Sequence, residues 1–228
     1  MDSPVGKLTS AGDIQGVVFD MDGVILDSEQ VWDEIREQLA HERGGRWHAQ
    51  AHADMMGMSS VEWSRYMHEE IGVADDPAAI NAEVVRRILD HYGSSPPLLP
   101  GATDAVAALA RRWPLALASS SNRALIDAAL EQGGLTALFT ATVSSEEVER
   151  GKPAPDVYLE ACSQLGVDPS RAAAIEDSHN GIRSAKVAGL RVIAIPNEHY
   201  PPDAATLAEA DIILNHIADL TPEAIDPS

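Results

Sequence analysis

Six short apolar runs, each stopped by a polar residue or a proline, constrain this chain more than any other feature. They are 14–19 ahead of Asp20, 114–118 ahead of Ser119, 139–143 ahead of Ser144, 172–175 ahead of Glu176, 191–195 ahead of Pro196 and 211–214 ahead of Asn215. Runs of this length and composition are the signature of buried strands. Helical spacing fills the intervals at 101–112, 122–133, 155–165 and 178–188. The second of these repeats apolar residues at Leu125, Ala129 and Leu130 and meets Gly133-Gly134 as a stop signal. Strand and helix in alternation predict an α/β fold, a doubly wound parallel sheet buried on both faces.

One interval is too long. Most strand-to-strand steps here take roughly 20–35 residues, about what a βαβ crossover needs. The step from Asp20 to the run at 114 takes more than 90. The excess, residues 28–98, has helical patterning over 29–42, 59–71 and 78–93, with Ile80, Val84, Ile88 and Leu89 at helical spacing. It closes in the Ser- and Pro-rich stretch 94–101, suited to a linker. The expected organisation is a core made of 1–27 and 99–228, with a small helical cap domain, 28–98, inserted after the first strand. A length of 228 residues suits one domain carrying such an insertion.

Composition removes several function classes. Thirty-six acids against 16 Lys and Arg give −20, which argues against nucleic-acid and anionic-membrane partners. No stretch approaches the ~20 apolar residues of a membrane span. The start lacks the basic-then-apolar pattern of a leader, so a cytoplasmic address is expected. A single cysteine, Cys162, excludes an intrachain disulfide and a cysteine-based zinc cluster, and suits a small core residue. His48 and His52 stand four apart, but no Glu sits between them as in His-Glu-x-x-His, so a solvated helix face is expected. Gly151-Lys152 is followed by Pro153 rather than Ser or Thr, so no nucleotide-binding Walker pattern is present.

The chemistry belongs at the strand ends. In doubly wound sheets ligands bind beyond the carboxyl ends of the strands, where strand order reverses. With strand 1 between strands 2 and 4, that point collects Asp20 and Asp22, Ser119, and Glu176 with Asp177. Four clustered carboxylates repel one another unless a cation sits among them, and all-oxygen ligation favours Mg²⁺ over zinc or copper. Each piece also has an ordinary reading. Asp20-Met-Asp-Gly could be a turn, Ser119 a helix cap, Glu176-Asp177-Ser178 a helix start, and Lys152 a solvated lysine. An EF-hand does not fit, since Ile25 stands where glycine is required.

Taken together and in order, these segments resemble the haloacid dehalogenase superfamily of phosphohydrolases. The motifs are Asp20-Met21-Asp22-Gly23, Ser119 closing an apolar strand, Lys152 in Gly151-Lys152-Pro153, and Glu176-Asp177-Ser178 followed by Gly181. The resemblance runs from about Ile14 to the C-terminus, and the inserted helices are similar to the family's small cap. The closest subgroup by motif holds sugar-phosphate phosphatases and beta-phosphoglucomutase. That mutase carries a His near the Trp32 position and an Arg after the Gly-x-Ser turn, where this chain has Trp32 and Ser60, which favours a phosphatase.

The resemblance implies specific roles. Asp20 would be the nucleophile that becomes an aspartyl phosphate, and Asp22 the acid that protonates the leaving alkoxide and then the base that activates water. Mg²⁺ would be held by Asp20, the main-chain carbonyl of Asp22 and Asp177, with Glu176 acting through a water. Ser119, Lys152 and the backbone N–H groups near Met21, Asp22 and Ser120 would hold the phosphoryl oxygens. Substrate choice would fall to the cap, at Glu29, Trp32 and the turn carrying Ser59 and Ser60, although Trp32 and the nearby Trp63 also suit the cap's own core. The expected partner is a small phosphate ester. A mutase of the same chemistry, and a binding protein that has lost turnover, are the alternatives. No oligomeric state is indicated.

The charge distribution bears on this expectation. Residues 28–98 carry 13 acids and 6 bases, and 192–228 carry 7 acids and no Lys or Arg. An anionic ester therefore needs the metal, Lys152 and backbone N–H groups to reverse the sign locally.

Overall fold

The structure, a computed structural model, describes residues 14–93 and 95–226. The leader reading at the extreme N-terminus and the linker's Ser94 lie outside the described residues.

Six parallel strands form one sheet in the order β3-β2-β1-β4-β5-β6. They are β1 (Gly16–Phe19), β2 (Leu115–Ser119), β3 (Ala141–Ser144), β4 (Ala172–Glu176), β5 (Arg191–Ala194) and β6 (Ile212–Ile213). The expected order holds, with β6 added at the edge. Strand β1 lies between β2 and β4, with Phe19 level with Leu117 on one side and Ile175 on the other. The switch point therefore falls where the sequence placed it.

Alternation along the strands builds two different faces. Val17, Phe19, Leu115, Leu117, Ile175 and Ile193 face one way, into the larger core that continues through the cap. The other face is mostly alanine, from Ala116, Ala118, Ala172, Ala174 and Ala194. Such a smooth face lets two helices approach closely, α7 (Asp156–Leu165) and α8 (His179–Ala188). Cys162 is buried in this layer, as expected of a small core residue. The other face is covered by α5 (Ala102–Ala110) and α6 (Arg123–Gln132), and α9 (Ala204–Leu207) and α10 (Pro222–Ile225) complete the core.

The insertion between β1 and β2 is helical: α1 (Glu29–Glu42), α2 (Ala51–Met55), α3 (Ser60–Glu69) and α4 (Pro77–Tyr92). Helix α4 buries Ile80, Val84, Ile88 and Tyr92 along one stripe. Its start is set by Asp76, whose carboxylate accepts from the N–H groups of Ala78 and Ala79, ahead of Pro77. The chain enters and leaves this insertion side by side. Leu26 pairs with Leu98, and the Asp27 N–H donates to the Pro97 carbonyl at 2.7 Å. Among the described residues no helix is long and apolar enough to cross a membrane.

One expectation needs correction. His48 and His52 do not share a solvated helix face, because α2 begins only at Ala51. His48 is exposed beside Tyr66, whereas His52 is 3% exposed. The His52 ring lies between the carboxylates of Glu29 (3.2 Å) and Asp33 (3.4 Å) and stacks on Tyr200 of the core at 4.0 Å. Two acids on α1 and an aromatic ring on the core hold the imidazole inside the cap–core boundary.

Candidate active site

Asp20 follows β1 directly, held in line by its N–H to the Ile175 carbonyl at 3.0 Å. The chain then turns back through Gly23 at φ +74°. A Cβ there would lie 1.9 Å from the Asp177 carboxylate. Glycine is required twice over, for the left-handed backbone and for the approach of an acid from β4. Gly181 does the same at the start of α8, where a Cβ would lie 1.9 Å from the Glu176 carboxyl carbon.

Asp20, Glu176 and Asp177 are buried with carboxylate oxygens within 4.8 Å of one another. Lys152 is buried with them. Its Nζ donates to Asp20 Oδ1 at 2.8 Å and Glu176 Oε1 at 2.6 Å, and sits 5.1 Å from the centre of the Tyr158 ring. Burial pulls the Lys152 ammonium down, but Asp20 and Glu176 outweigh it and hold the group above its ordinary value, so it stays charged. Burial, opposed by Lys152 and assisted by Glu176 and Asp22, pushes the Asp20 carboxyl up to about 8. Asp177 is likewise held well above the carboxylate range, first by burial and then by Glu176. One lysine does not balance three desolvated acids.

The donor set fits a hard divalent cation. Asp177 Oδ2 is buried and accepts no hydrogen bond, an orphan that a cation would satisfy. Glu176 differs, because both of its oxygens are already engaged. Oε1 accepts from Lys152 and from the Tyr158 hydroxyl at 2.7 Å, and Oε2 from the backbone N–H of Asp177 and Ser178 and the Ser178 hydroxyl. It anchors Lys152 and the β4–α8 turn.

Asp22 lies across the cavity in different surroundings. Its Oδ1 accepts from the Ser28 hydroxyl and the Trp32 indole at 3.2 Å, and its Oδ2 from the Ser121 hydroxyl at 2.6 Å. Two of these three donors belong to the cap side, so the cap orients this carboxylate.

The cap is shut in this structure. The Ser120 hydroxyl donates to the Gly57 carbonyl at 2.9 Å, and Asn180 Nδ2 to the Met56 carbonyl at 2.8 Å. Beside these contacts lies a cavity of about 40 Å³ lined on the core side by Asp20, Asp22, Ser120, Ser121 and Lys152. Glu29, Trp32, Trp63 and the turn Met55–Met58 line the cap side. Ser119 is one layer down, fully buried, its hydroxyl accepting the Ser121 N–H at 3.0 Å. Met21 is buried, and its N–H, like those of Asp22 and Ser120, donates to nothing among the described residues. Ser59 and Ser60 are not brought to the cavity. Ser59 closes a capping box with Glu62 at the start of α3, and Ser60 is buried behind it. Ser121, Tyr158 and Arg36 join the site without having been expected. Arg36 sits one turn after Trp32 on α1; burial lowers its guanidinium to about 10, against Glu29, Asp22 and Asp33, which leaves it charged.

A family model for haloacid dehalogenase-like hydrolases matches residues 14–189, which holds every strand-end motif above. The chain is a haloacid dehalogenase-like hydrolase. Among relatives in this family, (DL)-glycerol-3-phosphatase 2 of Arabidopsis thaliana is 29% identical, the match covering 98% of this chain and 95% of that one. Hexitol phosphatase B of Escherichia coli (strain K12) is 31% identical over 91% and 95% of the two chains. This hydrolase spans 56% of the length of the bifunctional riboflavin kinase/FMN phosphatase of Arabidopsis thaliana, to which it is 30% identical. Among solved structures, CbbY from Rhodobacter sphaeroides in complex with phosphate superposes with a TM-score of 0.82 at 26% identity, over 93% of this chain and 99% of that one.

Proposed function

We propose that this hydrolase is a Mg²⁺-dependent phosphatase of a small phosphomonoester, working through an aspartyl phosphate on Asp20. The observation that carries it is the division of labour between the two carboxylates after β1. Asp20 Oδ1 is fixed by Lys152 while Oδ2 accepts no hydrogen bond among the described residues, so one oxygen is held and the other is available. Asp22 is instead ringed by two hydroxyls and an indole. Hydroxyls can donate or accept, so Ser28 and Ser121 serve the carboxylate and the carboxylic acid in turn, and the indole N–H keeps the group aimed.

In the first step Asp20 Oδ2 attacks phosphorus, the bond from phosphorus to the ester oxygen breaks, and protonated Asp22 gives its proton to that oxygen to release the alcohol. In the second step Asp22 takes a proton from water as the water oxygen attacks phosphorus. The bond to Asp20 breaks and inorganic phosphate leaves. Lys152 and the N–H groups of Met21, Asp22 and Ser120 stabilise the charge on the phosphoryl oxygens. Asp20, Asp177 and the Asp22 carbonyl would hold Mg²⁺, which lets an anionic nucleophile approach an anionic ester.

The test is hydrolysis of a phosphomonoester panel with Mg²⁺. Wild type should release phosphate from an aryl phosphate and from at least one small metabolite ester, and Asp20→Asn should lose at least ~10³-fold in kcat. Activity retained by Asp20→Asn, or none from wild type on any ester, sinks the reading. Net phosphate release without a bisphosphate activator separates it from a mutase.

A further inference from the structure

Arg36 has no part in the phosphoryl chemistry, yet it is built into the cavity. It is 5% exposed, a desolvation arginine rarely accepts without a partner. Its guanidinium sits in the corner of an edge-on indole pair, 4.4 Å from the Trp32 ring centre and 4.6 Å from that of Trp63. Cation–π contact with both rings holds the guanidinium in place without supplying an oxygen acceptor for its N–H donors. Arg36 lines the cavity together with Asp20, Asp22 and Lys152.

The donors are unfilled. Nε is buried with no acceptor, and no carboxylate among the described residues comes within ion-pair distance of any Arg36 nitrogen. Glu29, Asp22 and Asp33 act on it only from farther away. The acids nearby thus neutralise the residue at a distance without occupying its fork. A planar fork with free donors, rigidly stacked and shielded from water, is complementary to a group with two coplanar oxygens. A neutral polyol would leave it unpaired, which is the device by which buried polar groups reject the wrong substrate.

We infer that the ester's leaving group carries a second oxyanion, and that Arg36 binds it edge-on from the cap. The substrate class is then phosphorylated hydroxy acids or bisphosphates of short span, not phosphate esters of neutral polyols. This rests on the phosphatase reading for the chemistry but not for the binding.

Matched pairs test it. Glycerol 3-phosphate and 3-phosphoglycerate differ only in a neutral or carboxylate end, and fructose 1-phosphate and fructose 1,6-bisphosphate only in a second phosphate. Wild type should favour the oxyanion member of at least one pair by more than tenfold in kcat/KM. In Arg36→Met, which keeps the apolar stem against the indoles, that ratio should fall at least tenfold, to near one. Arg36→Lys, which keeps the charge but not the fork, should fall between, and it carries the test if the Met variant does not fold. A wild-type preference for the neutral members, or an equal loss on both members in Arg36→Met, overturns the proposal. Binding supplies a second readout, because Trp32 and Trp63 flank the guanidinium. In Asp20→Asn, which cannot turn over, 3-phosphoglycerate or fructose 1,6-bisphosphate should change tryptophan fluorescence at lower concentration than its neutral counterpart, and Arg36→Met should abolish the difference. Arg36-dependent binding with no hydrolysis of any ester would sink the phosphatase reading and leave this one standing. Equal binding of neutral and oxyanion members would do the reverse.

Discussion

At the scale of single residues, the site is held in a state that only a cation relieves. The Asp20 carboxyl, ordinarily near 3.8, is pushed up to about 8 by burial in the metal-free protein. The folded chain then holds that proton more tightly than the unfolded one. Its contribution to stability is whole below the ordinary value and lost as pH rises through about 8. Lys152 stays charged across that window and does not reverse the sign. In chelator, the melting temperature should therefore carry a downward slope from Asp20 between pH 5 and pH 8, which Mg²⁺ removes. Differential scanning fluorimetry at both pH values, with and without Mg²⁺, should show a larger metal gain at pH 8; an equal gain contradicts the account. Gly23→Ala offers a second check. The left-handed backbone costs about 1–2 kcal/mol for any side chain, and the methyl also displaces Asp177. Lower stability should come with a weaker Mg²⁺ dependence, read as the metal concentration giving half-maximal activity.

At the scale of elements, the strands and most helices were legible for one reason. A parallel sheet buried on both faces needs unbroken apolar runs, and those runs stop where the backbone meets the ligand. Two acids of the candidate site were legible on the same ground, since Asp20 and Glu176 are those stops. The cap was less so. Helix α2 has five residues, too short for periodicity, and its His52 copied the spacing of a surface pair while being buried by partners distant in sequence. The run Ser119-Ser120-Ser121 could not say which hydroxyl meets the cavity, because that depends on where β2 ends. Arg36 went unremarked in the sequence, and its place one turn from Trp32 was the signal that could have found it. The cap's seal can be tested through Asn180, whose amide on α8 donates to the Met56 carbonyl. Asn180→Ala removes a hydrogen bond worth about 1 kcal/mol, roughly fivefold in the closed-to-open ratio. KM should rise several-fold with kcat changed less, and steady-state kinetics on an aryl phosphate would show it.

For the molecule as a whole, the −20 charge and the phosphate ester are reconciled by locality. The described acids outside the site are mostly spread over the cap and the C-terminal segment, while Lys152 and Arg36 line the cavity. The two cores meet the sheet from opposite sides, and the lone cysteine lies in the alanine-faced one. Burial pushes the Cys162 thiol up to about 11, so it is both covered and protonated at neutral pH. Alkylation of Cys162 should be negligible in native protein and track global unfolding in denaturant. Rapid labelling under native conditions would show that α7 opens by itself.

The shut cavity also sets a clock. Room of about 40 Å³ holds a few waters, not a phosphate ester together with the water that must follow it. On the proposed mechanism, the alcohol released in the first half of the cycle leaves past the contacts of Ser120 with Gly57 and of Asn180 with Met56. We expect each turnover to pass through an open form, with the two chain crossings paired at Leu26 and Leu98 as the joint. If that door bounds the cycle, kcat falls as solvent viscosity rises, whereas a limit set by the buried acids leaves it unchanged.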